Sequence, residues 1–406
     1  MKAVIFAGSI LFAAALGATT LPGFRTEKIA TTNGFCTSVA VDSQGTIYYT
    51  VQGGTLFRLD TFGGSTTVAT VNTNGTSNSG LLGMALLDDT HAVVHYTTPN
   101  QTYDVLGRID LMTGAESVVQ QFVCDIEVPE RGSSPEHHGG TPDVGADGSI
   151  VVGIGDYGTG APAALPQWNG GKIFRVTPQG ETIQFARGMR NPYGVLWDAA
   201  RQRVIVADNG ANIGDALFVL NQGANCGWPF SFGGQPPVDG IAKPVYFFPQ
   251  TIAPTGMLAL NGANAQLRSG ILIGAFVTKA VYFFPDVDAN PVPPPIALLD
   301  HEIGPVIGIA QSARGDIVVA SGSAIYRLSM PLRGDCNGDG VLNSQDVDAI
   351  VRELADAPER TYDAQGGSYA GSWGCDANGD GTIDANDLVE LIRIIHPRRR
   401  SVRSVH

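Results

Sequence analysis

Charge is scarce in this chain: only 16% of its 406 residues are Asp, Glu, Lys or Arg. The cationic side chains are the rarer kind, 25 against 38 acids, for a formal net charge of −13. So few cations leave no extended basic surface for a phosphate backbone, which excludes nucleic acid as a partner. Beyond the first 18 residues no stretch reaches about 18 apolar residues, so no membrane-spanning helix is expected in the mature chain. No C-x-x-C spacing occurs among Cys36, Cys124, Cys226, Cys336 and Cys375, which argues against a cysteine metal centre. Helical periodicity is missing from about Phe24 to Leu332. What is abundant is glycine (52) and proline (24), against 43% apolar residues. That is too apolar for a disordered chain and long enough to bury a core. Many turns between short β-branched runs indicate an all-β protein.

Met1-Lys2, the apolar run Ala3–Leu16 and the small residues Gly17-Ala18 read as a signal peptide over 1–18. The mature chain is then expected to be secreted, periplasmic or attached to the cell surface, where cysteines can oxidise. Five cysteines are an odd number, so at least one stays unpaired within the chain.

One unit recurs six times between Phe24 and Leu332. Each has an apolar strand, a turn with Gly or Asp, and a second alternating strand: Ser38–Thr50, Gly80–Thr97, Thr141–Asp156, Gly194–Gly210, Gly256–Phe276 and Gly308–Gly322. A period of about fifty residues is that of β-propeller blades. The sixth unit is short by one strand, which Phe24–Ala30 is placed to supply. The expected fold is therefore an all-β six-bladed propeller over 19–332.

After Pro331 the pattern changes. Residues 335–346 (DCNGDGVLNSQD) and 376–387 (DANGDGTIDAND) are twelve-residue loops, each followed by an apolar-periodic helix, Val347–Leu354 and Leu388–Ile395. Oxygen donors fall at positions 1, 3, 5, 7, 9 and 12: Asp335, Asn337, Asp339, Val341, Asn343 and Asp346, then Asp376, Asn378, Asp380, Thr382, Asp384 and Asp387. Hard oxygens at that spacing, with glycine at position 6, suit Ca²⁺. Asp replaces the usual Glu at position 12, and one helix attends each loop. In both respects residues 333–396 resemble a type I dockerin, which implies two bound Ca²⁺ and a cohesin-bearing scaffold or surface protein as partner. The partner-reading positions 10 and 11 are Ser344-Gln345 and Ala385-Asn386. Cys336 and Cys375 flank the first ligands of the two loops, and a pseudo-twofold packing brings them into reach of a disulfide. Residues 397–406 form a basic tail.

In the propeller, His137 in EHHGG and Asp156 in GIGD have the composition of a general base with an orienting carboxylate. With GLLGMA (80–85), GKIFRV (171–176), RNPYG (190–194) and GANCGWP (223–229), this order of motifs is similar to the soluble glucose/sorbosone dehydrogenases. That resemblance, over about residues 24–330, implies a six-bladed propeller that binds pyrroloquinoline quinone (PQQ) and one Ca²⁺ and oxidises a sugar at C1. It implies His137 as base, Asp156 as its partner, Arg190 and Asn191 at the quinone oxygens, and Thr251 at the cofactor. It also implies Gly210 and Ala211 as calcium ligands and Asn78 as a sugar contact. Two positions depart from the pattern: Thr278 and Ile307 stand where the family has cations for the PQQ carboxylates, with Lys279 or Arg268 as candidate substitutes. Pro249 replaces a stacking aromatic. The alternative reading is a non-catalytic propeller that binds carbohydrate or protein. Neither a hydrolytic nucleophile set nor a close carboxylate pair is evident.

Overall fold

The computed structural model describes residues 19–20, 24–73, 75–76, 78–124, 136–211, 214–231, 238–264, 267–329, 332–337, 341–356, 360–361, 373–380 and 382–396. The signal peptide, the basic tail, Asp339 and the position-6 glycines Gly340 and Gly381 lie outside the described residues.

Six four-stranded antiparallel sheets follow one another in chain order, two of them extended by a two-residue parallel strand at the outer edge. Their innermost strands are Cys36–Val41, Leu81–Leu86, Asp143–Val144, Pro192–Asp198, Pro254–Ala259 and Val306–Gln311. Each corresponds to one of the six recurring units. Blade six is completed by Arg25–Thr31, which pairs antiparallel with Ala324–Ser329 as the missing strand required. A four-residue helical turn, Ala161–Ala164, is the one departure from all-β structure among the described residues of 24–329.

The ring holds together through close approach at its axis. Five of the six innermost strands carry a bulge where they pair with the next strand out, between Cys36 and Ser38, Leu81 and Gly83, Pro192 and Gly194, Pro254 and Met257, and Val306 and Gly308. The bulge turns a small residue toward the neighbouring blade. At Gly194 a Cβ would collide with the Thr255 carbonyl of blade five, and at Gly308 with the Ser38–Val39 backbone of blade one. Side-chain hydroxyls bind the same seams: Thr37 donates to Leu81 O (2.8 Å), and Thr255 donates to Val306 O (2.8 Å). Between blades, alternate residues of facing sheets fill the space, with Val93, Leu106, Val152, Ile154 and Phe174 between blades two and three. Thr19–Thr20 pairs with the outer edge of blade five, covering backbone groups that would otherwise offer themselves to another strand.

The C-terminal module has two helices, Ser344–Asp356 and Ala385–Ile395, each starting three residues earlier than the apolar pattern indicates. The early start of the second is explained by Asp384, which caps its N-terminus in a reciprocal box with Asp387. Cys336 and Cys375 form a disulfide, as expected. Cys36, Cys124 and Cys226 are buried and outside any disulfide. No helix among the described residues is long and apolar enough to cross a membrane.

Removal of residues 19–31 strips blade six of its outer strand and exposes the edge at Ala324–Ser329. The truncated chain is expected to lose cooperative thermal unfolding and to self-associate in light scattering. A sharp transition in a monodisperse sample would contradict the closure.

Candidate active site

The innermost strands enter the channel from one mouth, where Phe35, Leu82, Asn191, Phe276 and Ile307 line a cavity of about 100 Å³. The opposite mouth opens into a cleft of about 1540 Å³, bordered by Arg268 and by Asp380 and Thr382 of the second calcium loop.

His137 lies beside the first mouth, just before blade three, in the left-handed region at φ 59°. Asp156 follows the second strand of that blade, Ile150–Ile154. Gly155 between them must lack a side chain, since a Cβ would run into the His137 carbonyl oxygen. The result is a buried pair with His137 Nδ1 2.6 Å from Asp156 Oδ1. Asp156 also accepts the Gly158 N–H on Oδ1 (2.9 Å) and the Trp228 indole N–H on Oδ2 (2.7 Å). With two N–H donors already on it the carboxylate serves as an acceptor, and its 2.6 Å contact assigns a proton to Nδ1 of His137, which in the neutral ring leaves Nε2 as the lone pair. That is the tautomer a general base requires.

Blade four supplies the next layer. The backbone N–H groups of Arg190 and Asn191 donate to Asp208 (3.1 and 2.8 Å), and the Asp156 N–H donates to Arg190 O (2.8 Å). Burial pushes the Asp208 carboxyl up to about 7, while those two N–H donors favour its ionised form. Arg190 Nη1 donates to the carbonyls of Asn209 (3.1 Å) and Gly210 (3.2 Å), and its guanidinium lies 6.0 Å from the Trp228 ring. Asn191 Oδ1 accepts the Gly139 N–H, which ties blade four to the His137 segment. Asp215 accepts from the N–H groups of Gly210, Ile252 and Ala253, and so fixes the stretch that contains half-buried Thr251.

The structure thus gathers His137, Asp156, Arg190, Asn191 and Gly210. Asn78 is exposed but lines the same cavity as Asn191. Ala211 follows Gly210 and is half-buried. Sequence reasoning missed the roles of Asp208, Asp215 and Trp228. The Trp of the GWP motif was the available signal, because a buried indole N–H needs an acceptor.

The two cation positions are uncharged and enclosed. Thr278 is buried and accepts from the Tyr282 hydroxyl (3.1 Å), and Ile307 is part of the cavity wall. The strand before them ends at Ala275, and Thr278 and Lys279 both lie in the bend that follows, with Lys279 exposed at φ 51°. Arg268 cannot substitute, since it borders the opposite mouth. Buried Lys172 donates to the carbonyls of Pro162, Ala163 and Gly170 and is committed to structure. For PQQ, the residues present therefore fit at the quinone end, where base and donors converge. They supply little positive charge at the carboxylate end.

In the C-terminal module the position-12 carboxylates are buried and make the same bonds in both loops. Asp346 accepts from the N–H groups of Asn337 and Asn343, and Asp387 from those of Asn378 and Asp384. Asp335 and Asp376 are buried beside them. Burial raises the Asp387 pKa, and the neighbouring charges of Asp376 and Asp380 add to the rise. Carboxylates crowded in this way suit a divalent hard cation.

Residues 36–321 match the family model for glucose/sorbosone dehydrogenase. The chain belongs to that family. Residues 333–396 match the type I dockerin model, so the small module is a dockerin. Slr1608 of Synechocystis, an uncharacterized protein, is 27% identical over 143 residues, 32% of this chain and 33% of that protein. Aldose sugar dehydrogenase YliI of Escherichia coli is 24% identical over 176 residues, 37% of this chain and 47% of that protein. The chain thus spans a third to a half of the length of these relatives. The propeller is similar in fold to the PQQ-bound aldose sugar dehydrogenase of Streptomyces coelicolor, with a TM-score of 0.63 at 20% identity over 76% of this chain and 99% of that one. The soluble aldose sugar dehydrogenase of Escherichia coli in its apo form gives 0.65 at 19% over 75% and 99%.

Trp228→Phe deletes a hydrogen bond to a buried carboxylate. Such bonds are worth about 1.5–3 kcal/mol. Urea denaturation is expected to show a loss of that size, and an unchanged midpoint would remove Trp228 from the Asp156 network.

Proposed function

We propose that the propeller is an exported, PQQ-dependent oxidoreductase that oxidises the C1 hydroxyl of an aldose, and that the dockerin tethers it to a cohesin-bearing scaffold or surface protein. The observation that carries the reading is the buried 2.6 Å contact between His137 Nδ1 and Asp156 Oδ1. His137 Nε2 takes the proton of the sugar hydroxyl, and Asp156 stabilises the imidazolium as it forms. Arg190 and Asn191 sit where negative charge develops and supply the donors that favour it. PQQ, when bound, supplies a two-electron acceptor for the hydride that leaves C1. Thr251 would contact it, Asn78 would contact the sugar, and the Gly210 and Ala211 carbonyls would hold a Ca²⁺.

Neutral Thr278 and Ile307 favour a second reading, a propeller that binds carbohydrate or protein without turnover, because an unpartnered buried carboxylate costs several kcal/mol. The full chain mixed with PQQ, Ca²⁺ and aldoses decides between them. Bound-cofactor absorbance and dye reduction are expected, with His137→Ala lowering turnover by about 10²–10⁴-fold and leaving the absorbance in place. No bound PQQ at micromolar concentration would establish the second reading, and unchanged turnover in His137→Ala would refute the base.

For the dockerin, the reading rests on the paired Asp346 and Asp387 nests and on exposed Ser344-Gln345 and Ala385-Asn386 at the helix starts. Metal binding is folding energy for so small a module. Chelating Ca²⁺ is expected to abolish the helical circular dichroism and keep the β signal. Simultaneous loss of both would show that the propeller itself depends on the ion.

A further inference from the structure

A second polar cluster lies beside the His137 pair, buried between blades two and three. His95 and Asp104 come from the second and third strands of blade two, Cys124 directly follows its fourth, and His138 adjoins the base. All four are fully or almost fully buried, with His95, Asp104 and His138 at 0% exposure and Cys124 at 3%. One ligand atom each from Asp104, Cys124 and His138 lies within 4.8 Å of the others.

Three polar atoms of this cluster are unpartnered among the described residues. His95 Nδ1 is 2.8 Å from the Gly140 carbonyl, which can only accept, so Nδ1 bears the hydrogen and a neutral ring leaves Nε2 as a lone pair. His138 Nδ1 is 2.9 Å from Asp104 Oδ1, and Thr97 donates to the same oxygen. His95 Nε2, His138 Nε2 and Asp104 Oδ2 are buried and meet no hydrogen-bond partner among the described residues. With Nδ1–H of His95 given to Gly140, His95 Nε2 and Asp104 Oδ2 are left as acceptors within this buried cluster. A cation satisfies acceptors and a thiolate together.

We propose that Asp104, Cys124 and His138 form a closed structural site for a Zn²⁺-class ion, with His95 as the fourth ligand. Carboxylate, thiolate and imidazole in one set select zinc over calcium. The ligands come from separate strands, which is why the missing C-x-x-C spacing pointed away from a cysteine metal centre. Contraction of about 1 Å would bring the three clustered ligands to bond lengths of about 2.0–2.3 Å. Bound there, the ion would lock blade two to the segment that positions His137. The site involves neither PQQ nor the sugar, so its test is independent of the dehydrogenase reading.

The full chain, with its calcium loops filled by excess Ca²⁺, is titrated with Co²⁺ and followed by absorbance. One Co²⁺ per chain is expected, with a near-ultraviolet thiolate-to-metal band and tetrahedral visible bands. Cys124→Ser is expected to lose the near-ultraviolet band, and His137→Ala to keep it. Absence of the thiolate band in the unaltered protein would overturn the proposal, whatever the variants do. So would its persistence in Cys124→Ser, or a Co²⁺ spectrum of octahedral oxygen ligands alone.

Discussion

The structure depends on how closely six strands can approach a common axis. Twisted sheets arranged radially meet only if their inner edges shed bulk where they touch. The bulge in five of these strands presents Ser38, Gly83, Gly194 or Gly308 at the seam, and in blade five leads to Gly256. A Cβ at Gly256 would press on the Ile307 carbonyl of the next blade. This close fit brings the loops that precede the inner strands to one mouth. Residues as distant in sequence as Phe35 and Ile307 therefore share a single cavity wall.

At that mouth the loops are held by buried carboxylates rather than by apolar packing. Asp156, Asp208 and Asp215 each accept at least two hydrogen bonds, most from backbone N–H groups of another segment. Each costs desolvation and is stabilised by directed donors. Loops fixed in this way can hold His137 at an unfavourable φ without slack. The chemistry and the scaffold thus use the same side chains, since Asp156 serves the base, the Trp228 indole and the Gly158 N–H together.

The architecture was legible because repetition makes it so. Six copies of a strand–turn–strand pattern identify blades, and one short copy identifies the strand that completes it. His137 with Asp156, and Cys336 with Cys375, were legible because their motifs fix local geometry. Asp208, Asp215 and Trp228 were not, because their partners lie in other segments and bond through backbone groups that sequence does not distinguish. The turn at Thr278-Lys279 was not legible for a related reason. The apolar alternation of Ile271–Ala275 ends without a glycine or proline to mark the end. The cluster around Cys124 was hidden by the rule that metal cysteines come in close pairs, which does not hold when strands from one sheet and the next blade supply the ligands.

The closing strand orders events in time as well as in space. Arg25–Thr31 leaves the ribosome roughly three hundred residues ahead of its partner Ala324–Ser329. Contacts so remote in sequence form late, because the whole intervening chain must be organised first. Until then the early strand has no ladder to join, and blade one has no neighbour on its open side. The last blade is therefore the step at which an open, sticky arc becomes a finished ring, and the dockerin that follows it is synthesised only after both halves of that seam exist.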